Sequence, residues 1–312
     1  MSNLLSVKVG SLQLKNPIMP ASGTFEYSLR SVVDFNQLGA IVTKTFTRSK
    51  RSGNSLPRIC EADAGMLNAI GIPSKGVEYY INHVVPFFSQ YQSPLVASIS
   101  ANTAGEFAEL AAILSEVNGI SAIEANISCP NIEAHGKAFA IEACSTANVI
   151  KMLRAATPLP IWAKLTPNTS DIISVAKAVE DEGGDAVVVG NTLLGMAIDI
   201  TTRRPKLGNI MGGYSGPAIK PVNLRMTYQC AKHISIPVIG CGGIATLEDV
   251  IEYLLAGASA VQVGTANFIE PTVMIDLIQQ LTDYCKQHHI MQIMDLIGQI
   301  DDSPFQPFTA LS

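Results

Sequence analysis

Residues 126–131, Asn-Ile-Ser-Cys-Pro-Asn, place two amides, a hydroxyl and a thiol directly after an apolar, strand-like run at residues 121–125. The proline cannot continue a strand, so it fixes the direction in which its neighbours point. A thiol at such a position is suited to proton transfer or nucleophilic attack. The alternative is a strand end that carries a buried, inert cysteine. The segment alone leaves both interpretations of Cys129 open.

Two lysines stand at or just after apolar runs, Lys44 after residues 40–43 and Lys164 at the end of residues 161–164. Burying a lysine is costly unless an anion lies nearby. Each lysine could also extend its ammonium group to solvent from a buried stem. Together the two lysines favour an anionic ligand.

The elements that position these residues are short apolar runs alternating with helical stretches. Eight such runs over about 250 residues match a (β/α)8 TIM barrel, and a doubly wound open sheet is the rival. A small β-hairpin about Gly10-Ser11 precedes them, and we expect residues 1–312 to form a single domain. The interval 45–93 leaves room for an active-site loop and a helix. The predicted strands are residues 18–21, 40–43, 95–99, 122–125, 161–164, 186–189, 238–240 and 260–263.

Predicted helices fill the intervals, at residues 106–117, 143–155, 171–182 and 247–256. Ser170-Asp171 and Thr246 offer N-caps, the latter followed by acids in the first turn. Gly183 and Gly257 are suited to ending helices as C-caps.

In a barrel, chemistry lies at the carboxyl ends of the strands, and here every predicted strand ends in a polar group or glycines. Residues 240–245 superficially fit the dinucleotide fingerprint G-x-G-x-x-A, but the next strand ends without the required acid. The sequence therefore does not predict a bound NAD in this chain. The glycine turns at Gly242-Gly243 and Gly264-Thr265 instead predict a phosphate cradle built from backbone N–H groups. The ligand implied is a mononucleotide-like cofactor with one phosphate.

Composition excludes several classes of function. The net charge of −5 gives no overall basic surface for nucleic acid. No apolar run is long enough to span a membrane and no signal peptide begins the chain, so we expect a soluble, cytoplasmic protein without a membrane anchor. The six cysteines form no C-x-x-C pair, which argues against a zinc or iron–sulfur site and predicts free thiols. The charged residues 199–206 are predicted to form a surface loop.

Four ordered motifs, at residues 65–71, 126–131, 191–199 and 213–221, resemble those of class 1 dihydroorotate dehydrogenases. The first, third and fourth are most similar to the B-type, NAD-linked catalytic subunit, and the likeness extends over residues 16–271. The resemblance implies an FMN-binding (β/α)8 barrel that oxidises (S)-dihydroorotate to orotate in pyrimidine (UMP) biosynthesis. In this family the reaction passes a hydride from C6 of the substrate to flavin N5.

The resemblance also assigns roles to residues. Cys129 would be the general base that removes the C5 proton, Lys44 would pair with the substrate carboxylate, and Lys164 would stabilise the reduced flavin. Implied substrate-binding residues are Lys44, Asn68, Ala69, Ile70, Gly71, Ile72, Asn126, Asn131, Asn191 and Thr192. Implied FMN-binding residues are Ser22, Lys44, Thr45, Asn102, Asn126, Lys164, Gly190, Gly216, Gly242, Gly243, Gly264 and Thr265.

B-type enzymes pass electrons to a second subunit that carries FAD and a [2Fe–2S] cluster and reduces NAD. The resemblance thus implies a homodimer of this chain within a heterotetramer, with neither centre held by this chain. Glu26, Ala140 and Gly190 differ from the usual family pattern. These differences concern the fit of the substrate and the segment after Cys129 more than the reaction.

Four alternatives are weighed at this stage. An A-type enzyme would use fumarate as acceptor. A flavoprotein acting on uncharged dihydropyrimidines would have no carboxylate for Lys44. A non-redox phosphate-binding barrel, such as an isomerase or synthase, would hold no flavin, and a purely scaffolding barrel would not need so many polar strand ends.

Overall fold

The computed structural model describes residues 4–128 and 139–303. Its longest sheet is built from runs that are buried on both faces, such as Leu95–Ile99 and Ala122–Asn126, as parallel strands require. The strands in the described residues are β1 (Val7–Val9), β2 (Leu12–Leu14), β3 (Ile18–Pro20), β4 (Ile41–Val42), β5 (Ile59–Ala62), β6 (Gly65–Asn68), β7 (Leu95–Ile99), β8 (Ala122–Asn126), β9 (Ile161–Lys164), β10 (Ala186–Val189), β11 (Leu193–Met196), β12 (Ile198–Asp199), β13 (Arg204–Pro205), β14 (Met211–Ser215), β15 (Val238–Cys241) and β16 (Ala258–Val263).

Eight of these strands form one parallel sheet in the order β3-β16-β15-β10-β9-β8-β7-β4. The Gly39 N–H, just before β4, donates to the carbonyl oxygen of Ile18 on β3 at 2.9 Å. This bond joins the two end strands and brings the sheet round into a barrel. The strands follow one another around it without the reversal of a doubly wound sheet, so the (β/α)8 prediction is confirmed and the open-sheet rival is excluded.

The helices surround the barrel and begin where the capping residues stand. The Asp171 side chain accepts from the Ser174 N–H at 3.0 Å, and Thr246 forms a reciprocal capping box with Asp249. One predicted helix starts two residues early because Thr103 supplies its cap. The helices are α1 (Val77–Tyr79), α2 (Val85–Phe88), α3 (Ala104–Ser115), α4 (Ala143–Ala156), α5 (Ile172–Asp181), α6 (Lys220–Ala231), α7 (Leu247–Leu255), α8 (Ala266–Ile269) and α9 (Val273–Gln287), with a π-helical turn, Tyr80–Val84, between α1 and α2.

The predicted N-terminal hairpin is confirmed as β1 and β2, paired about Gly10 and Ser11. An ideal Cβ on Gly10 would lie 3.1 Å from the Cβ of Asp185, which directly precedes β10. The hairpin therefore packs at the amino ends of the barrel strands, away from the polar strand ends.

A second, antiparallel sheet has the order β11-β14-β6-β5 and was not predicted. Two of its strands, β5 and β6, lie in the interval that we expected to hold an active-site loop. The segment at residues 199–206, predicted to be a surface loop, does lie at the surface. It is a small hairpin rather than a loop, because β12 and β13 pair there. Both cases involve short, exposed or glycine-rich strands whose pattern is not apolar alternation. None of the helices within the described ranges is long and apolar enough to cross a membrane.

Candidate active site

A cavity of about 460 Å³ opens at the carboxyl ends of the barrel strands, between the barrel and the antiparallel sheet. It is the place at which barrel enzymes carry their active sites. Its lining is formed by Ala21, Ser22, Gly23, Thr24, Lys44, Thr45, Ile59, Met66, Asn68, Ile70, Gly71, Ile72, Asn126, Lys164, Asn191, Thr192, Ser215, Gly216, Ile219, Cys241, Gly242, Gly243, Gly264, Thr265 and Phe268.

Most of the residues predicted for substrate and cofactor line this one cavity. Three do not. The Ala69 N–H donates to the Arg58 carbonyl oxygen at 2.8 Å beside the antiparallel sheet, and the Gly190 N–H donates to the Cys241 carbonyl oxygen at 2.9 Å. The Asn102 N–H donates to Glu106 Oε2 at 2.8 Å at the start of α3. Cys129 and Asn131 lie outside the described residues.

The antiparallel sheet contributes one wall. Asn68 on β6 lines the cavity, and its Nδ2 donates to the Gly213 carbonyl oxygen on β14 at 3.3 Å. A Cβ on Gly213 would lie 2.0 Å from Thr192 Oγ1, so only glycine lets β14 pass so close to that cavity residue. The position of Thr192 thus depends on the second sheet.

The glycine turns form another wall. Gly242 and Gly243 have φ angles of +134° and +72°, a region that glycine adopts readily. Within the described residues, the N–H groups of Gly243, Gly264 and Thr265 donate no hydrogen bond. Unpaired backbone N–H groups at a cavity wall are suited to binding an anion such as a phosphate.

A buried amide that the sequence analysis missed holds this wall in place. Asn223 on α6 donates from Nδ2 to the carbonyl oxygens of Asn191, at 3.2 Å, and Cys241, at 3.0 Å. A Cβ on Gly242 would lie 2.0 Å from the same nitrogen. Asn223 therefore joins the ends of β10 and β15, and the clue in the sequence was an asparagine in a helix, where this residue type is disfavoured.

Lys164 occupies the inner part of the cavity and is almost fully buried. Its Nζ donates to Gln262 Oε1 at 2.8 Å and to Ser22 Oγ at 3.4 Å. Gln262 in turn donates from Nε2 to Glu124 Oε2 at 2.6 Å. Glu124 and Gln262 were also missed, although polar side chains in runs that are otherwise apolar were the available sign.

Two further titratable groups line the cavity. Burial lowers the pKa of Lys44, and the nearby charge of Glu26 partly opposes that change. Burial raises the pKa of the Cys241 thiol, with the Lys164 charge acting in the opposite direction. Cys241 is therefore a neutral thiol at neutral pH, whereas an anionic ligand beside Lys44 would favour the charged form of this lysine.

The described parts of the chain contain no group of three or more His, Cys, Asp or Glu side chains arranged to hold a metal ion. The cavity chemistry is that of amides, hydroxyls, two lysines and free N–H groups. This set matches an anionic, hydrogen-bonding ligand.

Comparison with known proteins identifies the family. Residues 4–284 match the family described as dihydroorotate dehydrogenase. A protein of Desulforamulus reducens, named "Dihydroorotate dehydrogenase B (NAD(+)), catalytic subunit", is 49% identical over 296 residues, which are 94% of this chain and 97% of the relative. Proteins of the same name from Parabacteroides distasonis (44% identical; 95% of this chain and 98% of the relative) and Shouchella clausii (46%; 94% and 97%) are also similar. The resemblance seen in the sequence motifs is confirmed, and the chain belongs to the dihydroorotate dehydrogenase family.

Proposed function

We propose that this chain is a catalytic subunit that oxidises (S)-dihydroorotate to orotate in pyrimidine biosynthesis, with FMN as its cofactor and NAD as the final acceptor. The observation that carries the proposal is the single cavity in which Lys44, three asparagines, Lys164 and the glycine turns meet at the barrel rim. The family and the names of its relatives support the same reaction.

The substrate is a cyclic imide with one carboxylate, and the cavity offers a partner for each part. Lys44 pairs with the carboxylate, which favours the charged ammonium and opposes the effect of burial on its pKa. Asn68, Asn126 and Asn191 hold the ring, since each amide has both a donor and an acceptor. Asn131, Thr192 and the segment 69–72 complete the proposed substrate contacts.

The donor set also fits FMN. The free N–H groups of Gly243, Gly264 and Thr265, with Gly216 and Gly242 beside them, suit a phosphate. Ser22, Thr45 and Lys164 offer hydrogen bonds to a flat polar ring. Asn102 and Gly190 are not among the lining residues and would act through their neighbours. When bound, FMN supplies the acceptor for the hydride that leaves C6 of the substrate.

In this proposal the C5 proton goes to the thiolate sulfur of Cys129, which becomes a neutral thiol. A thiol ordinarily titrates near pH 8.5, so proton removal becomes faster as the pH rises toward that value. Cys129→Ala should abolish substrate oxidation while FMN remains bound. If the variant oxidises dihydroorotate near the wild-type rate, another group is the base.

A partner subunit that carries FAD and a [2Fe–2S] cluster completes the proposed assembly, a heterotetramer about a homodimer in the cytoplasm. The names of the relatives, which specify NAD and a catalytic subunit, support a separate partner. Exposed apolar side chains on β11, β12 and β14 support a subunit contact there: Leu194, Met196, Ile198 and Met211.

The reaction is tested by mixing the FMN-loaded protein with substrate without oxygen. Dihydroorotate should bleach the flavin, whereas dihydrouracil, which lacks the carboxylate that Lys44 needs, should not. The reverse outcome would assign the chain to uncharged dihydropyrimidines, and a protein that binds no FMN would be a non-redox barrel. The B-type assignment predicts reduction of NAD only when the partner is present. Reduction of fumarate by this chain alone would instead assign it to the A-type.

A further inference from the structure

A line of hydrogen bonds crosses the barrel interior and connects two cavity residues, Lys164 and Asn126. From Lys164 it passes through Gln262 to Glu124 Oε2. From Glu124 Oε1 it continues to Ser98 Oγ at 2.8 Å, to Thr45 Oγ1 at 2.8 Å and to Asn126 Nδ2 at 3.4 Å. β8 and β16 are not neighbours in the sheet, so the bond between Glu124 and Gln262 must span the inside of the barrel.

The direction of every bond follows from its two ends. Lys164 has only donors, so Gln262 accepts with Oε1 and must present its NH₂ group to Glu124. Ser98 donates to Glu124, so it accepts from the Thr45 hydroxyl, which in turn accepts from the Asn126 NH₂ group. Both oxygens of Glu124 accept, which is the pattern of an ionised carboxylate.

These hydrogen-bond directions leave one acceptor atom at the cavity without a partner among the described residues. Asn126 Oδ1 is buried and has no hydrogen-bond partner among the described residues, although Asn126 lines the cavity. A buried acceptor without a partner is costly, so a ligand N–H is its natural complement. Glu124, Gln262 and Ser98 are themselves fully buried and are not part of the lining.

We propose that Glu124 is a positioning residue that fixes Asn126 as a hydrogen-bond acceptor toward the substrate ring and balances the charge of Lys164 through Gln262. The inference rests on the proposed function, because it assigns the two ends of the line to substrate and flavin. A solely structural role, in which the carboxylate fills the barrel with a satisfied polar group, is the alternative.

Replacing the Glu124 carboxylate by its amide distinguishes the positioning role from a solely structural role. In Glu124→Gln, one end of the new amide can still accept from Gln262, but its NH₂ group then faces Ser98. The arrangement in which every donor stays paired has Ser98 accept from the new amide and donate to Thr45, Thr45 donate to Asn126 Oδ1, and the Asn126 amide turn its NH₂ group to the cavity. The variant therefore converts an acceptor in the site into a donor without changing any lining residue.

Two ratios are measured on the FMN-loaded protein. The first is the orotate dissociation constant of the variant relative to wild type, and the second is the affinity for reduced FMN relative to that for oxidised FMN. Orotate binding, followed by the flavin absorbance, should weaken at least about tenfold in Glu124→Gln because an N–H of the ligand meets a donor. Reduced, anionic FMN should bind about tenfold more tightly relative to oxidised FMN, since Lys164 loses its countercharge, and this raises the two-electron potential by about 30 mV. A structural role predicts lower stability with neither ratio changed.

Ser98→Ala tests one arm of the line separately. It removes the constraint on Thr45 and Asn126 but keeps the Glu124 charge, so orotate binding should weaken severalfold while the flavin potential stays at the wild-type value. The measurement stands if Glu124→Gln does not fold. Equal shifts of potential in the two variants would contradict the assignment of Glu124 as the countercharge.

Asp185→Asn is the matched control. Asp185 also accepts two hydrogen bonds, from Arg154 at 3.1 Å and from the Ile161 N–H at 2.8 Å, but it lies at the amino end of β10. The Asp185→Asn protein should be less stable than wild type, with both ratios unchanged. Wild-type protein that binds neither FMN nor orotate would overturn the proposed function itself, whereas bound ligands with unchanged ratios in Glu124→Gln and Ser98→Ala would overturn only the role of Glu124.

Discussion

The parallel barrel and the antiparallel sheet build different walls of one cavity by different means. Barrel strands such as β7 and β8 are buried along their whole length. The antiparallel sheet packs only a small apolar cluster, Leu67, Ala69 and Leu207, and much of β11 and β5 is exposed. Regions with fewer buried apolar contacts open at lower free energy. We infer that the barrel supplies fixed groups for both proposed ligands, and that the sheet supplies a more easily adjusted wall for the proposed substrate.

Cavity-creating substitutions should give the largest difference between the two regions. Ile123→Ala, in the fully buried β8, should lower the free energy of unfolding by about 2–5 kcal/mol. Leu67→Ala should lie at or below the lower end of that range because its small cluster relaxes more easily. Urea unfolding measures both, and a larger loss for Leu67→Ala would contradict the contrast.

An added methyl group in the sheet should have an intermediate effect. Gly213→Ala places a Cβ 2.0 Å from Thr192 Oγ1, so it should cost about 1–3 kcal/mol and raise the KM for dihydroorotate by displacing Thr192. Gly105→Ala, in α3, is the control, since its Cβ would lie no closer than 3.8 Å to a neighbouring side chain, that of Thr103. That helical change should stabilise the protein by about 0.5–1 kcal/mol and leave KM unchanged. Equal KM values in both variants would argue against coupling of the sheet to Thr192.

A charged pair behind the glycine turns should give the smallest effect. Burial disfavours the Asp249 carboxylate, but Lys220, at 2.7 Å, and the N–H groups of Ala245 and Thr246 outweigh it, so the pKa of Asp249 lies below its usual value. Its contribution is present above the unfolded-state pKa and is lost as the pH falls through the folded-state pKa. Asp249→Asn should therefore cost about 1 kcal/mol at pH 7, a typical value for a lost helix cap.

The difference between wild type and Asp249→Asn should shrink below about pH 4, where the unfolded-state carboxyl group also becomes protonated. Thermal unfolding across pH 3–7 measures it. A difference that is constant over this range would show that the carboxylate charge is not the source of the stabilisation.

The barrel could be predicted because its strands are continuous apolar runs and its helices begin at strong caps. All eight predicted strands, the hairpin and the capping roles of Asp171 and Thr246 are present in the structure. The antiparallel sheet could not, because β14 (Met-Gly-Gly-Tyr-Ser) and β6 carry no alternating pattern and lie far apart in the chain.

The lining of the site was predictable to a similar extent. Strand ends such as Lys44, Lys164 and Gly242 face the cavity because the carboxyl ends of parallel strands meet at one rim. Asn223, Glu124 and Gln262 could not be placed, since their contacts join elements far apart in the chain. Asn102 and Gly190 stand at the correct strand ends, but their N–H groups donate within the protein, to Glu106 and to the Cys241 carbonyl oxygen.

The proposed role of the antiparallel sheet as a substrate-binding wall is tested most directly by Asn68→Ala. Asn68 lines the cavity from the antiparallel sheet and is only partly buried. The account predicts that the variant retains FMN at the wild-type stoichiometry, whereas bleaching by dihydroorotate slows about tenfold to hundredfold, the effect of losing one or two buried hydrogen bonds to the substrate. Loss of FMN together with activity, or bleaching at the wild-type rate, would contradict it.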